Sequence, residues 1–172
     1  PVLYEDNHLL VVVKPANLPT QADSSGDDDL LSILKRHIGE KYNKPGEVYL
    51  GLVHRLDRPV SGLVVLARTS KAAARLSTQV QEHTLRRLYA AVVQGEPPES
   101  GTLCDWLLKD EALNRVCVVP ERTPGAKEAR LEYHVLRRGE GLTLVQVQLH
   151  TGRSHQIRVQ MAHQGWPIWG DN

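Results

Sequence analysis

The 172-residue chain is poor in cysteine, in long apolar runs and in net charge, and each shortage removes a class of protein. Two cysteines, Cys104 and Cys117, with no CxxC pair and no Cys/His quartet, supply neither a disulfide framework nor a structural zinc site. Both are expected to be buried thiols. The longest unbroken apolar runs, Leu9 to Val13 and Leu63 to Ala67, fall far short of the roughly 20 residues a helix needs to cross a bilayer. The first residues, Pro-Val-Leu-Tyr-Glu-Asp, show neither a basic region followed by an apolar one nor an Arg-rich amphipathic pattern, so a cytoplasmic location is the expectation. At 41% hydrophobic and 24% charged, the composition is that of a globular protein and far from the disordered class. A sizeable core and one compact domain are expected at this length.

The net charge is +1, yet the charges are unevenly spread. Gly51 to Val93 holds seven bases (Arg55, Arg58, Arg68, Lys71, Arg75, Arg86, Arg87) against Asp57 and Glu82. Between Gln94 and Ala112 five acids face only Lys109. Such a chain can present a basic face to a polyanion, although scattered solvated charge reads the same way in a sequence.

His8 to Lys14 is a Val-rich run ended by Lys-Pro and reads as a buried strand entering a turn, with loop from Ala16 to Gly26. Asp27 to Asp29 precede Leu30, Leu34 and Ile38, an amphipathic helix with Gly39 just past its end. Leu52-Val53 and Leu63 to Ala67 read as strands around a charged loop, His54 to Gly62. Ser70 is placed to cap a helix over 71–84, with Ala72, Ala73, Leu76 and Val80 on one face. Leu88 to Gln94 reads as a strand. Ala129 to Val135 and Leu142 to Leu149 alternate around Gly139-Glu140-Gly141, a hairpin, with an apolar phase shift at Leu144/Val145 that points to a bulge or to burial of both faces. A final helix fits Ser154 to His163, capped by Ser154. Antiparallel strands with a few helices define an α+β fold, a mixed, mostly antiparallel sheet with flanking helices, in place of the βαβ alternation of a Rossmann sheet.

Reactive groups are densest in His54-Arg55-Leu56-Asp57-Arg58-Pro59-Val60-Ser61-Gly62-Leu63. A carboxylate between two arginines stays ionised and suits a nucleophile or base, which makes Asp57 a candidate; a turn-forming Asp paired with a neighbouring Arg fits the same residues. In Thr151-Gly152-Arg153-Ser154-His155-Gln156-Ile157-Arg158, Gly152 permits a tight turn and Arg153 and His155 would flank an anion held by first-turn amides. An Arg-rich cap on a surface helix is the plainer alternative. Tyr89, after Arg86-Arg87, can stack on a nucleobase or be an ordinary core tyrosine. Trp166 and Trp169 suit the edge of a core, and His83, His134 and His163 lack ligand spacing, so no metal is expected.

Together these segments resemble the RluA-type family of RNA pseudouridine synthases. The family signature His-Arg-Leu-Asp, three residues, Ser-Gly-Leu is met at His54, Arg55, Leu56, Asp57, Ser61, Gly62 and Leu63. The later motif Thr-Gly-Arg-(Ser/Thr)-His-Gln-Ile-Arg-Val is met from Thr151 to Val159, and a Gly-x-Pro-Ile-x-Gly-Asp segment follows at Gly165 to Asp171. Lys14-Pro15 and the Tyr89, Ala91, Val93, Gly95 strand match as well. The resemblance implies a pseudouridine-synthase-like catalytic domain over residues 1–172, short of the C-terminal strands into which relatives continue and without the small RNA-binding domain that precedes it in some of them. Val60 stands where many relatives carry Thr, and Gln160 where His is frequent; both are expected to tune RNA contacts.

The resemblance further implies isomerisation of specific uridines to pseudouridine in structured ribosomal or transfer RNA, acting on a flipped-out nucleotide. Asp57 is then the catalytic carboxylate, Tyr89 packs on the target base, Arg158 pairs with Asp57 and Arg55 fills the space the base vacates. His54, Arg55, Arg153, His155 and Gln156 are the expected RNA contacts. No cofactor, no metal, no membrane and no obligate protein partner are expected, since the isomerisation changes no composition. A hydrolase would need two carboxylates flanking the bond, and only Asp57 stands in the signature loop. The rival reading is a catalytically silent RNA-binding module or RNA chaperone with the same fold.

Overall fold

A computed structural model describes residues 1–171. The chain divides into two compact units, one from Pro1 to Leu85 and one from Arg86 onward. Each is built on an antiparallel sheet, and with three helices the class is α+β, as expected. No helix among the described residues is long and apolar enough to cross a membrane.

In the first unit, strands β1 (Val2–Glu5), β2 (Leu9–Lys14), β3 (Gly51–Leu52) and β4 (Gly62–Ala67) lie in the order β1-β2-β4-β3. The β2–β4 ladder runs in unbroken register from Leu9 opposite Ala67 to Lys14 opposite Gly62. Alternation along β2 buries Leu10, Val12 and Lys14, while β4 buries Val64, Leu66 and Ala67. Helix α1 (Leu30–Lys41) buries Leu30, Leu34 and Ile38, the expected stripe. Asp29 caps it by accepting from the Ser32 amide at 3.0 Å, and Gly39 falls inside the helix, which runs on to Lys41. Helix α2 (Ser70–Gln81) starts one residue before the expected one because Thr69, not Ser70, is the cap, its hydroxyl accepting from Ala72 N–H at 3.1 Å.

The second unit is a five-stranded sheet in the order β5-β9-β8-β6-β7, made of β5 (Arg87–Gln94), β6 (Ser100–Asp110), β7 (Arg115–Val119), β8 (Lys127–Gly139) and β9 (Leu142–Leu149). Its core is Val93, Leu103, Leu131, Tyr133, Val145, Val147 and Met161, the last contributed by helix α3 (Gln156–His163). The phase shift at Leu144/Val145 is answered on the partner strand: the β8 register slips between Val135 and Arg137, and β9 keeps Thr143, Val145 and Val147 inward throughout. Trp166 packs edge-on to Tyr133 at 5.8 Å between ring centroids, whereas Trp169 is exposed.

Both cysteines are exposed, contrary to the expectation of buried thiols. Alternation explains Cys104, which sits between the buried Leu103 and the inward Asp105 on β6 and so faces the other way.

Candidate active site

The loop carrying Asp57 leaves β3 and returns as β4, and three side chains of the first unit fix its backbone. Lys14 is fully buried; its Nζ donates to the carbonyls of Pro15 (3.0 Å), Leu18 (2.7 Å) and Arg58 (3.1 Å). Thr20, also buried, uses one hydroxyl twice, donating to Leu56 O at 2.8 Å and accepting from Leu56 N–H at 3.2 Å. His54 Nε2 accepts from the Val65 amide at 3.0 Å, which ties the start of the loop to β4 and requires that nitrogen to be unprotonated. Asp57 is therefore bracketed by two anchored neighbours, Leu56 and Arg58, and its own carbonyl closes a turn with Val60 N–H at 3.0 Å.

Charge around the loop is arranged in two layers. Desolvation pushes the Lys14 ammonium below its usual range, and the negative charge of Asp57 pulls it back up, so a buried cation lies within the field of the carboxylate. The Arg58 guanidinium turns to the preceding loop, where it donates to Ser25 Oγ at 3.1 Å and pairs with Asp27 and, at 3.8 Å, with Asp23. Those hydrogen bonds hold both aspartates below the usual carboxylate range, Asp27 chiefly through Arg58 and Asp23 chiefly through Ser25. Arg55, by contrast, is exposed.

In the second unit, Tyr89 stands half-buried on β5 against the core. The turn from Thr151 to His155 is organised from below by Gln156, whose side chain is buried. Its Oε1 accepts from the Thr151 hydroxyl at 2.8 Å and from Arg153 N–H at 3.0 Å, and its Nε2 donates to Arg130 O at 3.1 Å. Ser154 is not the cap expected from the sequence: the N-cap position of α3 is His155, and no side chain caps the helix. His155 adopts a left-handed backbone (φ 51°), and α3 begins only at Gln156. Arg153, exposed, donates Nε to Glu128 O at 2.8 Å. Arg158 pairs through Nε with Asp171. Among the described residues no group of three or more His, Cys, Asp or Glu side chains converges as metal ligands would.

His54, Arg55 and Asp57 thus share one loop of the first unit, and Arg153, His155 and Gln156 one turn of the second, with Tyr89 and Arg158 also in the second. The sequence reading passed over Lys14 and Thr20 as anchors and Asp171 as the partner of Arg158. Lys14 carried a usable signal: it is in phase with Leu10 and Val12, so alternation alone points it inward. Gln156 gives a direct test of the turn. Gln156→Leu leaves Arg153 N–H without its acceptor and removes one of the donors to Arg130 O, which keeps those of His150 and Thr151, and is expected to cost about 1–2 kcal/mol in urea unfolding with little change in far-UV circular dichroism.

Comparison with known proteins gives one consistent answer. The family whose sequence model matches is described as RNA pseudouridylate synthase, and the match covers residues 8–163. The ribosomal large subunit pseudouridine synthase D of Pseudomonas aeruginosa is 38% identical over 174 aligned residues, covering 99% of this chain and 52% of that protein. Its namesake from Zymomonas mobilis is 36% identical, covering 99% and 54%. Among solved structures, human RNA pseudouridylate synthase domain containing 4 superposes with a TM-score of 0.83 at 26% identity, covering 99% of this chain and 67% of that one. The chain belongs to the RNA pseudouridylate synthase family, in its RluA-type class. It spans about half the length of the curated relatives it matches.

Proposed function

We propose that residues 1–172 serve as the catalytic domain of an RNA pseudouridine synthase that isomerises specific uridines in structured RNA. The name of the Pseudomonas aeruginosa and Zymomonas mobilis relatives favours ribosomal over transfer RNA as the substrate. The observation that carries the reading is the carboxylate of Asp57 on a loop anchored at both of its neighbours, in a chain of this family.

The reaction breaks the bond from uracil N1 to ribose C1′, turns the base and forms a bond from C1′ to C5. The C5 proton leaves to solvent and N1 gains one, so nothing is oxidised or reduced. Asp57 acts as nucleophile on sugar or base, or as the base that removes a ribose proton. A loop fixed at Leu56 and Arg58 suits each of these roles, because a positioned group gains most from a geometry set before substrate arrives. Reaching the glycosidic bond requires extruding the nucleotide, at about a few kcal/mol. Stacking on Tyr89, worth roughly 1–3 kcal/mol, and insertion of Arg55 offset this cost. Arg158 completes the catalytic set, with Asp171 orienting its guanidinium. The exposed Arg153 and the neighbouring His155 are assigned to RNA contact, whereas His54 and Gln156 act on RNA through the loops they hold.

Mapping pseudouridines in ribosomal and transfer RNA from cells with and without the gene tests this reading. Loss of one or a few pseudouridines, restored by the wild-type gene, is the expected result; an unchanged map would overturn it.

A further inference from the structure

We propose that Arg87 is a phosphate-binding residue whose guanidinium, seated over Gly152, holds a phosphodiester oxygen of the RNA strand presenting the target uridine. The inference deepens the function proposed above and rests on it.

Arg87 is half-buried, its Nε is shielded from water, and that Nε has no hydrogen-bond acceptor. No ion pair or hydrogen bond among the described residues satisfies its charge, whereas Arg130 faces Glu132 at 3.5 Å. A buried donor left without an acceptor costs about 1–3 kcal/mol, and the strongest acceptors for a guanidinium are anionic oxygens in a plane, as on a phosphate. A cost of this kind persists in a fold when a ligand completes the bond.

Gly152 supplies an independent observation. A Cβ built on it would stand 2.5 Å from Arg87 Nη1, closer than any real contact. Its φ lies outside the left-handed region and the position is exposed, so its backbone would accept any residue. A side chain there would have to displace the guanidinium. Arg87 thus lies against the turn that carries Arg153 and His155, in space that the missing side chain of Gly152 leaves open.

The third observation is register. Arg87 and Tyr89 are two residues apart on β5 and share the face of Ala91 and Val93, which puts their Cα atoms roughly 7 Å apart. That is the scale of the separation between a nucleobase and its own backbone phosphate. With Tyr89 on the base, Arg87 reaches the phosphate of that nucleotide or the next.

The test is fluorescence anisotropy with a fluorescein-labelled stem-loop RNA bearing uridines in its loop, titrated with the full chain across a series of KCl concentrations. Arg87→Met is expected to weaken binding by about fivefold and to lower the slope of log affinity against log salt by about one phosphate contact, while Arg87→Lys keeps most of that slope. Gly152→Ala, which pushes the guanidinium off its seat, is expected to weaken binding to a similar extent, and the double variant no further than either alone. Thermal unfolding of each variant confirms that it is folded; should Arg87→Met fail to fold, Gly152→Ala with wild-type affinity and slope overturns the proposal. Wild-type affinity and slope in Arg87→Met, or losses that simply add, overturn it as well. If the wild-type chain converts uridine while Arg87→Met shows no change in slope, only the Arg87 site falls; a wild-type chain that neither binds nor converts RNA takes down the reading beneath it.

Discussion

Replacing Lys14 by methionine is expected to lower the unfolding free energy by about 3–5 kcal/mol, among the largest effects of any single change in the first unit. The ammonium is buried and donates to three carbonyls, those of Pro15, Leu18 and Arg58, at 2.7–3.1 Å. Methionine fills the volume but takes away the one donor that ties these three carbonyls together. Urea unfolding followed by far-UV circular dichroism measures the loss, with thermal unfolding as a second readout; the three tryptophans all lie in the second unit and do not report on this one. A pH series adds a signed expectation. Burial depresses the Lys14 pKa below its ordinary 10.5, so in the window beneath 10.5 the unfolded chain binds more protons than the folded one. The stability of the wild type relative to Lys14→Met should therefore rise as pH climbs through the folded pKa and level off above 10.5. Thr20→Val should act on the same loop more mildly, since it frees only the peptide groups of Leu56.

Asp57→Asn is expected to reduce uridine isomerisation by about 10⁴-fold or more while RNA affinity stays within about twofold. The amide has nearly the shape of the carboxylate, and the turn to Val60 and the bonds from Thr20 to Leu56 and from Lys14 to Arg58 do not use the Asp57 side chain, so they survive the change. What disappears is the negative charge and the lone pair it offers. Filter binding against pseudouridine formation measured by mass spectrometry separates the two quantities. Equal losses in both would mean that Asp57 only shapes the loop.

Lys14 shows how much of this was legible beforehand. The Val-rich strand, the Leu30/Leu34/Ile38 stripe and the 129–149 hairpin are written in periodicity, because a single buried face imposes period two on a strand and period 3.6 on a helix. Lys14 obeys that same period two but was read for its Lys-Pro turn, since an isolated buried lysine needs acceptors that only the tertiary structure supplies. Strand β6 escaped notice for a related reason: its inward face includes Asp105, which the buried Gln160 satisfies through a 2.7 Å hydrogen bond from Nε2. A polar residue paired inside a sheet breaks the apparent alternation without breaking the strand. Ser154 is a good cap in isolation, but His155 takes a left-handed backbone (φ 51°) that a helix cannot contain, so α3 starts only at Gln156.

The site was legible as two motifs and illegible as a mechanism of support. Asp57 and the Thr151–Arg158 run stand out in sequence. What holds them does not, because Lys14 reaches Arg58 across 44 residues, Thr20 reaches Leu56 across 36, and Arg158 finds Asp171 across 13. The picture of Asp57 flanked by two arginines also changes once Arg58 is seen to satisfy Asp27 and Asp23. Lys14, which no sequence pattern places there, lies in the field of the carboxylate as well.

Tritium release decides the central claim most directly. Ribosomal RNA labelled at uridine C5 and taken from cells lacking the gene is incubated with the wild-type chain and with Asp57→Asn in parallel. Tritium appearing in water from the wild type in excess over protein, and none above background from the variant, is the predicted result. A wild-type chain that binds this RNA yet releases no tritium, or a variant that releases it at the wild-type rate, would contradict the account.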